Sequence, residues 1–329
     1  MPPAPGPLFT QLPFDGVEAT LAQLPRAAGV GQILASGARN LLIGRAANLR
    51  RWFATHLGAG RPPRKGARPP TDLSPLAATL AWAETTSVFH QRLLFERSMG
   101  EHVPLSARRD LKTPAFLHLD ASERFPRASV RPAGAGSLYG PFRDRRAAQR
   151  ALEALHKRLP LRPCDYSFEP DPALPLGLGC LYAQVRSCAA PCLARIGEAP
   201  YRDLAAQAAR LLADPESRAE LADAIPPWVS GARLGLVVER GRAGVELYPV
   251  SEGEVLDGRA RTCAAQDLES TLAGLDWSPG QTSRDDRPWL SAWLHGPRKA
   301  GAYLPLVEGE DPAILARRVR RAAGFAPAA

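Results

Sequence analysis

The sequence predicts an α+β chain, and three stretches carry that prediction. Between 29 and 44, GVGQILASGARNLLIG reads as two short strands joined through Ser36, Gly37, Ala38 and Arg39, with a helical pattern after them. Between 145 and 215, two helical periodicities flank a Pro- and Gly-rich loop that holds four of the five cysteines. From 234 to 258, LGLVVERGRAGVELYPVSEGEVLDG reads as a three-strand meander with turns at 241–244 and 251–253. The corresponding divisions are an N-terminal segment 1–28, a small sheet with helices over 29–115, a helical cysteine domain over 116–225 and a C-terminal α/β domain over 226–329.

The helix after the first strand pair spans 47–57. Leu49 and Phe53 share its inner face, while Arg45, Arg50 and Arg51 decorate the outside. The run GRPPRKGARPP at 60–70 is a basic linker or loop in which Arg64 and Lys65 stand together. A helical pattern over 76–99 carries Leu80, Val88, Leu93 and Leu94; Glu84, Thr85, Thr86 and Ser87 interrupt it, and Ser87 caps its second half. PAFLHLD at 114–120 and FPRASVRP at 125–132 form a strand pair leading to a turn at 139–142. Over 145–159, Ala148, Leu152, Leu155 and Leu159 recur at helical spacing. Beyond the cysteines, Pro200 suits a first helical position, and Tyr201, Leu204, Ala208 and Leu211 form the inward stripe of a helix that Asp214-Pro215 ends. In the last part a helix over 285–295 presents Trp289 and Trp293 to a core, a strand covers 302–307, and a basic helix covers 312–321.

At 329 residues and 45% apolar composition the chain has enough material for two or three cores. Its longest nearly uncharged apolar stretch, near 76–83, is far short of the roughly 18 residues a membrane span needs, so no membrane partner is expected. The net charge of +9 suits a polyanion such as nucleic acid. Only Lys65, Lys112, Lys157 and Lys299 are lysines, and that bias toward Arg, beside abundant Ala and Pro, fits a GC-rich genome and proves nothing about binding. Distribution says more: residues 19–71 hold nine Arg or Lys and no Asp or Glu, a run of one sign that favours phosphate contacts. Arg45, Arg50, Arg51, Arg64 and Lys65 are the candidate DNA-binding residues within it.

Cys164, Cys180, Cys188 and Cys192 follow the spacing Cys-x15-Cys-x7-Cys-x3-Cys. The opening MPPAPGPLFTQLPF has neither a basic n-region nor an apolar h-region, so a reducing cytoplasm is expected, where disulfides rarely persist. A metal is the better reading of four thiols in a loop with little core of its own. Zinc ribbons usually pair two short Cys-x2-4-Cys knuckles, whereas here only Cys188 and Cys192 are close, which tilts the choice toward an iron-sulfur cluster and leaves zinc as the alternative.

LYGPF at 138–142, KRLPLRPC at 157–164, CLYAQVRSCAAPC at 180–192, Ile196-Gly197 and Tyr201 together resemble the cysteine-rich region of UvrC-type nucleotide excision repair endonucleases. The first cysteine gap is longer than the family's usual one. The resemblance implies that Cys164, Cys180, Cys188 and Cys192 ligate a 4Fe-4S cluster. Strand, strand, basic helix and a later helix bearing Glu96 resemble, in part, the GIY-YIG nuclease domain that precedes this region in the same family. That likeness implies a divalent ion, Mg or Mn, on Glu96, with Arg45 after the second signature. Gly31 and Leu42 replace two tyrosines placed around the attacking water, and Trp52 replaces the helix arginine. His56 and the neighbouring Arg50 or Arg51 are the candidate substitutes. No helix-hairpin-helix pair or second nuclease half is recognisable, so the chain is more similar to the short Cho-type relatives. The expectation is a DNA-binding repair protein with lost or weakened incision and UvrA- or UvrB-type partners. An active endonuclease with a rebuilt site and a zinc-stabilised interaction module are the competing readings.

Overall fold

A computed structural model describes residues 9–60, 70–104, 107–108, 111–132, 137–165, 167–174, 180–213, 221, 226, 233–278, 284–296, 301–306 and 309–325. They form an α+β fold with three antiparallel sheets in succession.

The first sheet has the order β1-β4-β2-β3, from β1 (Thr10–Pro13), β2 (Gly29–Leu34), β3 (Asn40–Ala46) and β4 (Thr79–Glu84). The expected strand pair is present, with Gly31 opposite Gly44. Two expectations are corrected here. The segment expected over 1–28 is not separate in its described part, 9–28: it supplies β1, an edge strand paired with β4, and helix α1 (Val17–Gln23). The Ala-rich run near 79–84 is a strand and not the first half of a helix. It lies between β1 and β2, and hydrogen bonding on both edges with burial of Leu80, Ala81 and Trp82 overrides its local helical pattern.

Helix α2 (Leu49–His56) is capped by the Asn48 side chain and inserts Leu49 and Phe53 into a core with Leu24, Ile33, Leu57, Leu80 and Trp82. Helix α3 (Val88–His102) starts as expected at Ser87, whose hydroxyl accepts the His90 N–H at 3.1 Å.

The second sheet, β6-β5-β7, comes from β5 (Ala115–Leu119), β6 (Ala128–Arg131) and β7 (Ser137–Phe142). The 139–142 stretch is strand rather than turn. Tyr139 and Phe142 are buried, and Gly140 passes so close to Phe116 that a Cβ there would lie 2.4 Å from the ring. Helices α4 (Arg145–Arg158) and α6 (Glu198–Ala213) cover this sheet through Ala148, Leu152, Leu155, Tyr201, Ala208 and Leu211. Pro200 is the third residue of α6, not the first.

The third sheet runs β10-β9-β8-β12, with β11 also on β9. Its strands are β8 (Leu234–Arg240), β9 (Val245–Ser251), β10 (Glu254–Val255), β11 (Arg261–Cys263) and β12 (Gly301–Pro305). The meander is as read. One face packs on α7 (Leu268–Ala273), which sequence reasoning missed, and α9 (Pro312–Ala322).

The other face receives Trp289 and Trp293 of α8 (Arg287–Leu294) together with Phe89, a residue of α3. Helix α3 therefore bridges two sheets: Phe89 and Leu93 join this core, while the Gln91 amide donates to the Gly29 and Ala46 carbonyls of the first sheet. Its Phe89 N–H donates to buried Glu239 at 2.6 Å, and Arg97 donates to Asp286 and Asp257. Burying the Phe89 side chain alone contributes about 1.5–3 kcal/mol to holding the third sheet against the first.

Candidate functional site

On the first sheet, the paired glycines Gly31 and Gly44 leave a bare patch of backbone, and the Trp52 indole of α2 lies across it. A Cβ on Gly31 would sit 2.8 Å from that ring, and one on Gly44 would sit 2.6 Å from it. Trp52 meets Phe53 edge-on at 4.9 Å between centroids and His56 at 4.8 Å. Gly31 and Trp52 are thus one packing exchange: bulk removed from the strand is returned from the helix. Leu42 packs at the margin of the same core. Burial lowers the pKa of His56, which favours its neutral form, and its ring lies against that of Trp52.

Glu96 is buried, and both of its oxygens are engaged. Arg92 lies 2.5 Å from one, the i, i+4 pair legible in the sequence, and Arg108 lies 2.9 Å from the other. Arg108 escaped sequence reasoning because the loop from His102 that carries it back has no periodic signal. Glu96 faces a cavity of about 960 Å³ whose walls include Arg97, Arg108, Tyr248, Asp286 and Trp289, but not Arg45, Trp52 or His56. The candidate acid and the candidate proton acceptor therefore do not share this cavity. Among the described residues, no three His, Cys, Asp or Glu side chains are grouped to hold one metal ion. Glu96→Ala removes the carboxylate that Arg92 and buried Arg108 share, and is expected to cost about 1.5–3 kcal/mol in urea denaturation, the range for hydrogen bonds to charged groups. Glu96→Gln, which keeps acceptor and shape, is expected to cost less.

The basic residues separate by role. Arg45 is exposed on the edge strand β3, its guanidinium 5.4 Å from the Phe95 ring centroid, and Arg51 is exposed on α2. Arg50 is corrected: it does not face solvent freely but donates to the carbonyls of Leu24 at 2.8 Å and Ala22 at 3.0 Å, tying α2 to the end of α1. Arg64 and Lys65 lie outside the described residues.

The four cysteines are brought together by the second core. Tyr201, fully buried on α6, accepts the Arg162 N–H at 2.7 Å and donates to the Pro126 carbonyl, fixing the strand-like approach to Cys164. The Ala189 N–H donates to the Pro160 carbonyl at 2.8 Å, which draws the Cys188 loop onto that approach. Cys180 precedes a single turn, α5 (Leu181–Gln184). Cys192 sits in a short 3-10 turn (Pro191–Leu193) between Ala190 and Ala194, both left-handed at φ 53° and 52°; such strain in non-glycine residues persists only where the surroundings fix it. Burial pushes the Cys188 thiol up to about 11, and the field of Cys164, Cys180 and Cys192 adds to the shift. Burial also raises Cys192, helped by Cys180 and Cys164. The thiols are therefore near enough to sense one another. The Ala190 N–H points at Cys188 Sγ at 3.3 Å, and Arg162 Nη1 lies 3.9 Å from Cys164 Sγ, donors suited to thiolate or sulfide charge. Cys263 stands apart on β11.

No helix among the described residues is long and apolar enough to cross a membrane. Residues 115–211 match the family described as the UvrC/Cho excinuclease middle domain. The chain is similar to UvrABC system protein C of Sphingopyxis alaskensis, at 28% identity over 58% of this chain and 29% of that one. It is also similar to the protein of the same name from Novosphingobium aromaticivorans, at 29% identity over 58% and 29%, and from Geobacter sp., at 28% over 59% and 30%. The chain thus spans less than a third of the length of these relatives. No solved structure matches it. Through the domain that carries its cysteines, the chain is related to the UvrC-type excision-repair proteins.

Proposed function

We propose that this chain acts in nucleotide excision repair as a DNA-binding protein that incises poorly or not at all, with its middle domain organised around a 4Fe-4S cluster. The observation that carries the reading is the Trp52 indole over Gly31 and Gly44. The surface where the GIY-YIG family places phenols and an arginine around water is here covered by an aromatic ring. Exposed Arg45 and Arg51 remain beside it and supply charge without acid-base chemistry.

What supports the cluster is that Cys188 feels the field of Cys164, Cys180 and Cys192, so that all four thiols lie in one neighbourhood. A 4Fe-4S cluster is held by four such thiolates, and zinc is the alternative that the same four would hold. The UvrA- and UvrB-type proteins are the partners this reading implies, in a cytoplasmic setting.

Electrostatic binding is tested by the salt dependence of duplex affinity. If Arg45 and Arg51 each neutralise one phosphate, the double alanine variant is expected to flatten the slope of log K against log salt by about 1.8. Arg50→Ala is expected to leave the slope in place and to cost about 1 kcal/mol of stability through its lost carbonyl contacts. An unchanged slope in the double variant would show that the basic run is only a solvated face.

A further inference from the structure

The cysteine loop presents an apolar projection that its fold does not use. Leu181, Tyr182 and Val185 are 66%, 47% and 62% exposed, three of the seven most exposed large apolar side chains among the described residues, gathered in one turn. Single exposed apolar residues need no explanation, but a contiguous group marks an interaction surface. The turn is held firmly from beneath. Ala183 is buried against Ala190, Cys192 and Leu193. The Ala183 and Gln184 N–H groups donate to the Cys180 carbonyl, and the Ser187 and Cys188 N–H groups donate to the Tyr182 carbonyl. Arg186 closes the turn in the left-handed region at φ 56°. Both ends of the projection are thus tied to metal-ligand candidates, so it is presented as a rigid element.

Its electrostatic setting identifies the partner. Between Asp171 and Glu198 the sequence has no acidic residue, and Arg186 and Arg195 are both exposed. No ion pair among the described residues engages either one. An aromatic and two aliphatic side chains on a turn closed by exposed Arg186, in a stretch that also carries exposed Arg195 and no acid, complement a polyanion that offers a flat apolar face. Nucleic acid does so where its base stack is open.

We propose that this turn docks on DNA at an opened base stack, with Tyr182 stacking on an exposed base, Leu181 and Val185 packing beside it, and Arg186 and Arg195 holding the adjoining phosphates. The proposal rests on the DNA-binding reading above and adds to it a preference for distorted over paired structure.

The test compares full-length protein, prepared without oxygen, on a fully paired duplex and on the same duplex with a central unpaired bubble. Wild type is expected to prefer the bubble, and Tyr182→Ala to lose about 10-fold or more of bubble affinity, the range for one base-aromatic stack, while paired-duplex affinity and its salt slope stay as in wild type. Tyr182→Trp is expected to restore the preference. Because the side chain is exposed, unchanged iron content and melting temperature verify that each variant is folded. Equal affinity of Tyr182→Ala and wild type for the bubble would overturn the proposal and leave the turn as a surface for a protein partner. Equal loss on bubble and paired duplex would also overturn it. Failure of wild type to bind either DNA would remove the DNA-binding reading itself along with this extension, a result distinct from retained duplex binding without bubble preference.

Discussion

Incision of nicked or damaged duplex in Mg or Mn is expected to be absent, or about 100- to 10,000-fold below that of a GIY-YIG enzyme with its tyrosines, the range that positioned proton transfer contributes. Hydrolysis needs a cation for the developing charge and a group to take the proton from water. Glu96, the candidate metal ligand, lies between Arg92 and Arg108, and a metal would have to displace both guanidinium groups. His56 stands against Trp52 and does not line the cavity that Glu96 faces. Residual cleavage is therefore expected to be insensitive to Glu96→Gln and His56→Ala. The Trp52 packing adds a second readout. Gly31→Tyr alone should lower the melting temperature, because its Cβ would meet the indole at 2.8 Å, and the added Trp52→Arg exchange should recover part of that loss. Robust wild-type cleavage abolished by Glu96→Gln at unchanged melting temperature would overturn the weak-incision reading and establish a rebuilt site.

What the sequence made legible follows the range of the interactions involved. The strand pair around Ser36, helix α2, the Ser87 cap, α4 and the C-terminal meander depend on patterns within a few residues of one another, and the structure has all of them. Strand β1 carries no local signal and β4 carries a helical one, because what makes them strands is the pairing of β4 with β1 and with β2, across tens of residues. Arg50 illustrates the same limit at a candidate site. On a helical projection it stands with Arg51 on the outside, but the end of α1 passes close enough for its guanidinium to bond two carbonyls. The cysteines were legible as a group from composition and spacing. What positions them, the Tyr201 hydroxyl and the Ala189 to Pro160 bond, became visible only in three dimensions. The substitutions at Gly31 and Trp52 read as separate losses in the sequence and become a single complementary change once the helix lies over the sheet.

Protein purified without oxygen is expected to be brown and to carry about four iron and four sulfide per chain, and Cys188→Ser is expected to abolish that colour and iron. Cys188 is the most demanding of the four positions. It is buried, its sulfur accepts the Ala190 N–H, and the other three thiols act on it electrostatically. An empty site would leave four polar sulfurs in a loop wound through three left-handed non-glycine residues, Arg186, Ala190 and Ala194, each a cost of order 1–3 kcal/mol that ligation would offset. Loss of the metal should therefore loosen the loop while the second core, built by α4, α6 and their sheet, stays folded. Limited proteolysis should cut Cys188→Ser protein between 165 and 197 and spare the helices on either side. Cys263→Ser should match wild type in iron and in cleavage pattern, because β11 belongs to another sheet. Stoichiometric zinc without iron after anaerobic purification would keep the same four ligands but replace the cluster with a structural ion and favour the interaction-module reading. Full iron content in Cys188→Ser would remove Cys188 from the ligand set.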